Sequence, residues 1–280
     1  MIVNLFDSNF AHQTTDDGVY SIIHGKKPSH IKYVRNKPSH KGITIFTDSY
    51  LDASLISRIK SDYKIGWLIE PNSTHTRTVN SWANSVDIIL TYDDSVLKKY
   101  PDKAKLWNGG GGWIKSENIK IHEKNKLVSM IYSNKVGRHE GYAPRHEIAK
   151  LYGGQIDLFG SGCNRVIEFK EEGICDYMFT IVIENVRTNA SNMFTEKLID
   201  SMLVGTVPIL WGCPNVGNYF NKNGIIQFNN ANEIGDILPK LNKDLYNSMM
   251  PYIKENIEKA KQHEVAEDWL YKNIFRNFSY

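Results

Sequence analysis

The sequence predicts an α/β protein of two Rossmann-like βαβ lobes facing a cleft, and three observations carry that expectation. Short apolar runs bounded by turn residues alternate with amphipathic stretches along the whole chain, the rhythm of parallel strands covered by crossover helices. The 280 residues are long for one compact domain and comfortable for two, at roughly 100–200 residues each. Trp107-Asn-Gly-Gly-Gly-Gly-Trp113 then interrupts the rhythm, because four successive glycines neither hold a helix nor pack a strand.

The elements follow in order. Ile2–Phe6, Ile31–Val34, Ile43–Phe46, Gly66–Ile69 and Asp87–Tyr92 read as buried strands. Leu51, Leu55, Ile56 and Ile59 fall at helical spacing and predict a helix over Leu51–Tyr63; a second, Ser73–Asn84, follows the Asn72-Ser73 capping pair. The glycine run reads as a hinge or cleft-wall loop closing a first lobe of residues 1–113. A phosphate loop fits less well, since Ile114-Lys115-Ser116-Glu117 does not continue as the helix such a loop requires. In a second lobe, 114–280, strands are expected at Leu127–Tyr132, Ile156–Gly160, Tyr177–Glu184, Thr206–Trp211 and Gly224–Phe228, with helices at Ala143–Tyr152, Thr195–Val204 and from Glu233 onward. The last stretch, Val265–Phe278, carries Trp269, Tyr271, Phe275 and Phe278. It needs a surface to pack on, and the first lobe is the expected one.

Composition narrows the function classes. With 41% apolar residues and 9 prolines the chain buries real cores, which excludes a disordered or fibrous protein. Lys and Arg number 34 against 31 acidic residues without long runs of one sign, so a dedicated nucleic-acid binder is not expected. Cys163, Cys175 and Cys213 are far apart and odd in number, pointing to reduced thiols and a cytoplasmic location. Neither a membrane span nor an N-terminal targeting signal is read from the sequence. The nine histidines form no HxxxH or HExxH, so no metal site is expected.

The segment richest in chemistry runs from Tyr177 to Asn215. It reads as strand, polar loop, helix, strand: Leu198, Ile199, Met202 and Leu203 make one apolar helix face, Glu196 and Asp200 lie on the polar side, and Gly205 ends the helix. Its N-terminus offers Thr195, Glu196 and Lys197 beside free backbone N–H groups, a setting that favours a diphosphate. Taken alone, the same residues read as an N-cap followed by exposed, solvated first-turn charges, with Lys197 contributing little to folding.

Phe179…Ile183-Glu184-Asn185, then Thr195-Glu196-Lys197-Leu198, then Gly205-Thr-Val-Pro-Ile-Leu-Trp-Gly212 together resemble the signature of the alpha-1,3-fucosyltransferases, glycosyltransferase family ten. The match is specific over roughly residues 177–228. The resemblance implies the GT-B architecture of acceptor lobe, donor lobe and cleft. It implies that Glu196 contacts the donor sugar, Lys197 the donor phosphates, and Asn185 the nucleotide. Ser133-Asn134 followed by Arg145 resembles a further family element in which the arginine grips the diphosphate, with Arg138 the competing candidate. Two departures stand out: the loop before Thr195 is about two residues longer than usual for the family, and Met193 replaces a common aromatic residue.

Inverting transfer needs a proton acceptor for the acceptor hydroxyl. Glu70, in Trp67-Leu-Ile-Glu-Pro71, stands where a strand ends at a proline, and the family carries a first-lobe glutamate at the equivalent place; a loop charge or helix cap is the alternative. Asp93-Asp94 is the rival pair, though its position before a short helix favours N-cap chemistry. Trp67, Trp82 and Trp113 offer ring faces to a sugar, with core packing the commoner role. The expected activity is transfer of L-fucose from GDP-fucose to a glycan hydroxyl, with no cofactor and no essential metal. Another nucleotide-sugar donor, or an inert glycan- or nucleotide-binding module, stays open.

Overall fold

The structure, a computed structural model, describes residues 1–7, 26–71 and 74–277. Asn72, Ser73 and Phe278, which the sequence places at a helix start and in the terminal aromatic stretch, lie outside the described residues. The chain divides into two compact units, Met1–Gly111 with Val265–Tyr280, and Gly112–Glu264.

The first unit is built on strands β1 (Ile2–Phe6), β2 (Lys32–Arg35), β3 (Ser39–Thr47), β4 (Lys60–Trp67), β5 (Ile88–Thr91) and β6 (Ala104–Leu106), with a two-residue stretch β7 (Gly109–Gly110) after them. The sheet order is β2-β1-β3-β4-β5-β6, parallel at every pairing. Side chains alternate between its faces. Val3, Leu5, Ile43, Ile45, Ile65 and Trp67 form one core; Phe6, Phe46, Leu51, Ile56, Ile89 and Trp82 form the other. Helices α1 (Ala53–Arg58), α2 (Thr74–Arg77), α3 (Val79–Trp82) and α4 (Asp94–Lys99) connect the strands.

Two expected helices are shorter than their periodicity suggests. Asp52 caps α1 by accepting the Leu55 amide at 2.8 Å, but the helix stops at Arg58 and Ile59 is already extended. Residues 60–63 pair with β3 instead, Ser39 opposite Lys60 and Ile43 opposite Tyr63, so sheet pairing overrides the apolar spacing. The second helix is broken into α2, α3 and a 3-10 turn at Ala83–Ser85.

The second unit carries β8 (Lys126–Ile131), β9 (Asp157–Phe159), β10 (Tyr177–Ile183), the short β11 (Phe194–Thr195), β12 (Val207–Trp211) and β13 (Ile226–Gln227), with helices α5 (Tyr142–Tyr152), α6 (Glu171–Ile174), α7 (Glu196–Leu203), α8 (Glu233–Ile237) and α9 (Lys243–Lys261). The sheet order is β13-β12-β10-β8-β9, again parallel. All seven residues of β10 are buried, as a central strand covered on both faces requires. Phe179, Ile181 and Ile183 face Ile209 and Trp211 in one core; Val182 and Leu210 meet Leu198, Ile199, Met202 and Leu203 of α7 in the other. The last helix, α10 (Ala266–Asn273), belongs with the first unit, where Ala266, Leu270 and Phe275 join the core of Tyr33, Trp67 and Trp107.

Both sheets begin in an inner strand, add the next strand on one side and then cross to the other. The reversal falls between β1 and β3 in the first unit and between β8 and β10 in the second. In open α/β sheets the crevice beyond the strand C-termini at such a reversal is where ligands bind. Among the described residues, no helix is long and apolar enough to cross a membrane.

Candidate functional site

The reversal in the second unit holds a cavity of about 410 Å³, lined from the end of β8 by Ile131, Tyr132 and Ser133, from β10 by Thr180–Ile183, and by Arg145, Lys170, Glu196, Lys197 and Asp200. That volume lies in the usual range for small-molecule sites.

Placement of these groups begins at the end of β10. Glu184 is fully buried and accepts the Thr195 amide at 2.8 Å and the Thr195 hydroxyl at 2.6 Å. Thr195 in turn is the N-cap of α7, so the carboxylate fixes the start of the helix. Gly141 packs so closely that a Cβ there would collide with the Glu184 carbonyl, and its amide donates to the Asn185 carbonyl at 3.1 Å. This approach starts α5 against the strand end and turns Arg145 inward, where its guanidinium donates to the Ile183 carbonyl and, at 2.9 Å, to Asn185 Oδ1. At the other end of α7, Gly205 adopts φ +72°, the left-handed geometry that closes a helix.

The charged groups form one network. Lys197 Nζ lies 3.1 Å from Glu196 Oε1 and 3.7 Å from Glu184 Oε2. Lys170 Nζ lies 2.7 Å from Asp200 Oδ2, 3.6 Å from Glu196 Oε1 and 4.2 Å from the centre of the Trp113 ring. The Trp113 amide donates to Asp200 Oδ1 at 2.6 Å. Burial alone would push the Glu196 carboxyl up, but the charges of Lys197 and Lys170 and hydrogen bonds from Lys197 and Thr195 hold it down at about 2. Lys197 is pushed up despite its burial, because Glu196 and Glu184 favour the ammonium. Asp200 is pushed up by burial, against the pull of Lys170. Three cations thus share one wall with two carboxylates, an arrangement able to receive a diphosphate while orienting hydroxyl groups.

Of the residues expected from sequence, Arg145, Ser133, Glu196 and Lys197 line the cavity. Asn185 is not among the lining residues and instead holds Arg145; Asn134 is exposed beside the lining residue Ser161, its amide donating to the Ser161 hydroxyl at 3.2 Å. Arg138 is exposed and does not line the cavity. Met193 is buried and also lies outside the lining. Trp67 and Trp82 are core residues, whereas Trp113 is half-buried under Lys170. Two expectations are corrected. Lys197 is a half-buried counter-charge, not a solvated first-turn lysine, and the polar side of α7 is buried at Glu196 and Asp200. Sequence reasoning missed Lys170, which sits just before the four-residue α6 with no periodic or capping signal, and it gave Glu184 no role.

In the first unit Glu70 is exposed. Its amide donates to both Asp48 oxygens at 3.3 Å and its carbonyl accepts the Tyr92 hydroxyl at 3.1 Å. Asp93 caps α4, accepting the amides of Ser95 at 2.9 Å and Val96 at 3.1 Å, and Asp94 stands in the first turn. Among the described residues no group of three or more His, Cys, Asp or Glu is placed to hold a metal ion.

Two doubly wound parallel sheets, the second with a cationic cavity at its reversal, have the architecture of the GT-B class of glycosyltransferase. The model of "Glycosyltransferase family 10 (fucosyltransferase) C-term" matches residues 121–272, and the chain belongs to that family. It is 33% identical over 134 residues to the alpha-(1,3)-fucosyltransferase FucT of Helicobacter pylori, a stretch that covers 45% of this chain and 27% of that protein. The chain thus spans about a quarter of the length of this curated relative. Among solved structures, an alpha1,3-fucosyltransferase is similar with a TM-score of 0.54 at 15% identity, covering 88% of this chain and 82% of that one. An alpha1,3-fucosyltransferase with GDP-fucose is similar with a TM-score of 0.54 at 14% identity, covering 94% and 90%. At such identities the likeness is one of fold.

Proposed function

We propose that the chain transfers L-fucose from GDP-fucose to a hydroxyl group of a glycan acceptor, with inversion at the transferred carbon. One observation carries this reading: Arg145, Lys170, Lys197 and Glu196 converge on the cavity at the sheet reversal, inside the span matched by the family model. Lys197 and Arg145 take the diphosphate, and Glu196 takes a hydroxyl of the donor sugar. Ser133 positions the nucleotide from the cavity wall, with Asn134 beside it on Ser161, and Asn185 acts on the nucleotide through Arg145, which it holds. Glu70 accepts the proton of the acceptor hydroxyl as that oxygen bonds to the fucose anomeric carbon. The bond from that carbon to the diphosphate oxygen breaks, its electron pair leaves with GDP, and the cations meet the developing charge. No metal or further cofactor enters this scheme. Fucose is taken as the donor from the family resemblance; of the two departures from the family pattern, Met193 lies outside the cavity lining. The free thiols of Cys163, Cys175 and Cys213 support a cytoplasmic setting.

The test is incubation of the folded protein with GDP-fucose and a panel of oligosaccharides, following GDP release and product mass. Slow GDP release alone, faster release with one acceptor, and a deoxyhexose added to that acceptor are expected. A folded protein that turns over GDP-fucose in neither condition contradicts the reading.

A further inference from the structure

Strand β4 ends at Trp67, three residues before Glu70, and the peptide groups beyond it need other partners. The Leu68 amide finds the Leu90 carbonyl at 2.9 Å. The amides of Ile69 and Glu70 both turn to one side chain, Asp48, at 3.1 and 3.3 Å. Asp48 directly follows β3, the strand flanking the reversal of the first sheet.

Two costs meet at this residue. Its φ is +32°, a left-handed backbone that glycine adopts freely and that costs other residues about 1–3 kcal/mol. The residue is 8% exposed, and burial, with the Glu70 carboxylate adding to it against the pull of the two amides, pushes its carboxyl up to about 7. Glycine would relieve both costs but would take from the Ile69 and Glu70 amides the acceptor they have here, so what the aspartate adds at this position is its grip on those two peptides. Residues that carry strain and a disfavoured charge together are found where a site is held in one geometry.

We propose that Asp48 is a positioning residue for Glu70: its carboxylate grips the peptides of Ile69 and Glu70 and holds the segment beyond β4 so that the Glu70 side chain meets the acceptor hydroxyl. This rests on Glu70 being the base. Asp48 touches no reacting atom; it acts through the backbone that carries Glu70, and a displacement of about 1 Å at such a group costs on the order of a hundredfold in rate.

Asp48→Gly accepts the left-handed backbone and removes the grip. Its kcat for fucosyl transfer should fall about tenfold to a hundredfold, with the GDP-fucose KM and the melting shift given by GDP unchanged. Asp48→Asn keeps an acceptor oxygen and tolerates the same φ, so it should recover most of the loss. In a Glu70→Gln background Asp48→Gly should cost nothing further. A purely structural role predicts instead a similar loss in both backgrounds and a fall in GDP affinity, and that result overturns the proposal. Wild-type kcat in Asp48→Gly with Glu70→Gln inactive overturns it while leaving Glu70 as the base. Wild-type turnover in Glu70→Gln removes the base and the proposal with it. Should Asp48→Gly not fold, Asp48→Asn carries the test: a smaller kcat loss that vanishes in the Glu70→Gln background supports the proposal, and no loss refutes it.

Discussion

Lys197→Ala separates the two roles that the structure gives this lysine. Removing the ammonium leaves Glu184, fully buried, and Glu196, 8% exposed, one counter-charge short. Breaking a buried pair costs about 3–5 kcal/mol. Here the Lys197 side chain is 29% exposed and Lys170 stays 3.6 Å from Glu196, so a cost of about 1–3 kcal/mol is the better expectation. At about 2–4 °C per kcal/mol for a unit of this size, the ligand-free melting point should drop by several degrees. GDP also loses a charge-assisted contact of about 1.5–3 kcal/mol, which weakens Kd roughly tenfold to a hundredfold. At a concentration a hundredfold above the wild-type Kd, GDP stabilises the wild type by about 2.7 kcal/mol and the variant by roughly 0.4–1.4 kcal/mol. Both effects are read in one melting assay with and without GDP. Adding Glu196→Gln should restore much of the ligand-free melting point, since the underpaired charge goes too, but not the GDP shift. A full GDP shift in Lys197→Ala refutes the diphosphate role. An unchanged ligand-free melting point refutes the counter-charge role.

Further outcomes follow from the same geometry. Glu70→Gln should lower transfer by about 10²–10⁴ while leaving the GDP melting shift unchanged; wild-type turnover would move the base, with Asp93 and Asp94 next to be tested. Transfer should survive EDTA, because Arg145, Lys170 and Lys197 meet the leaving group's charge; complete loss with rescue by Mn²⁺ or Mg²⁺ would show a metal role. His263 packs on Phe194 and Phe220 at 5.0 and 5.8 Å, and burial pushes its imidazole down to about 4. The unfolded chain takes up that proton near 6.5, so its contribution to stability is present above 6.5 and is lost as the pH falls toward 4, by up to about 3 kcal/mol. His263→Leu should therefore flatten the melting point between pH 6.5 and 4, and an unaltered slope would count against this assignment.

Much of the second unit was legible because local signals agree there. Thr195 as cap, Leu198, Ile199, Met202 and Leu203 on one face, and Gly205 as terminator all specify α7, and the structure keeps each. Most strands of both sheets were legible for a similar reason, since buried parallel strands read as apolar runs; the three-residue β6 was not read, and only Gly66 and Trp67 of β4 fell within the strand expected there. Where signals conflicted, the longer-range one won: Leu51, Leu55, Ile56 and Ile59 share a helical spacing, yet residues 60–63 pair with β3. The burial of Glu196 and Asp200 was not legible, because a polar helix face reads as solvent-facing unless the cation opposite it is known. That cation, Lys170, lies about 30 residues upstream and reaches the site only through the packing of α6. Asp48 was hidden in the same way, since its partners Ile69 and Glu70 come from the segment that follows the neighbouring strand β4.

The central claim is that the cavity at the β8/β10 reversal holds the guanosine diphosphate of a GDP-sugar. A melting series with GDP, UDP, CMP and ADP, each at the same concentration and without metal, tests it most directly. GDP should raise the melting point most, GDP-fucose should raise it at least as far, and Arg145→Ala should abolish most of both shifts. A larger shift with UDP or CMP, or a GDP shift that Arg145→Ala leaves intact, would contradict the account.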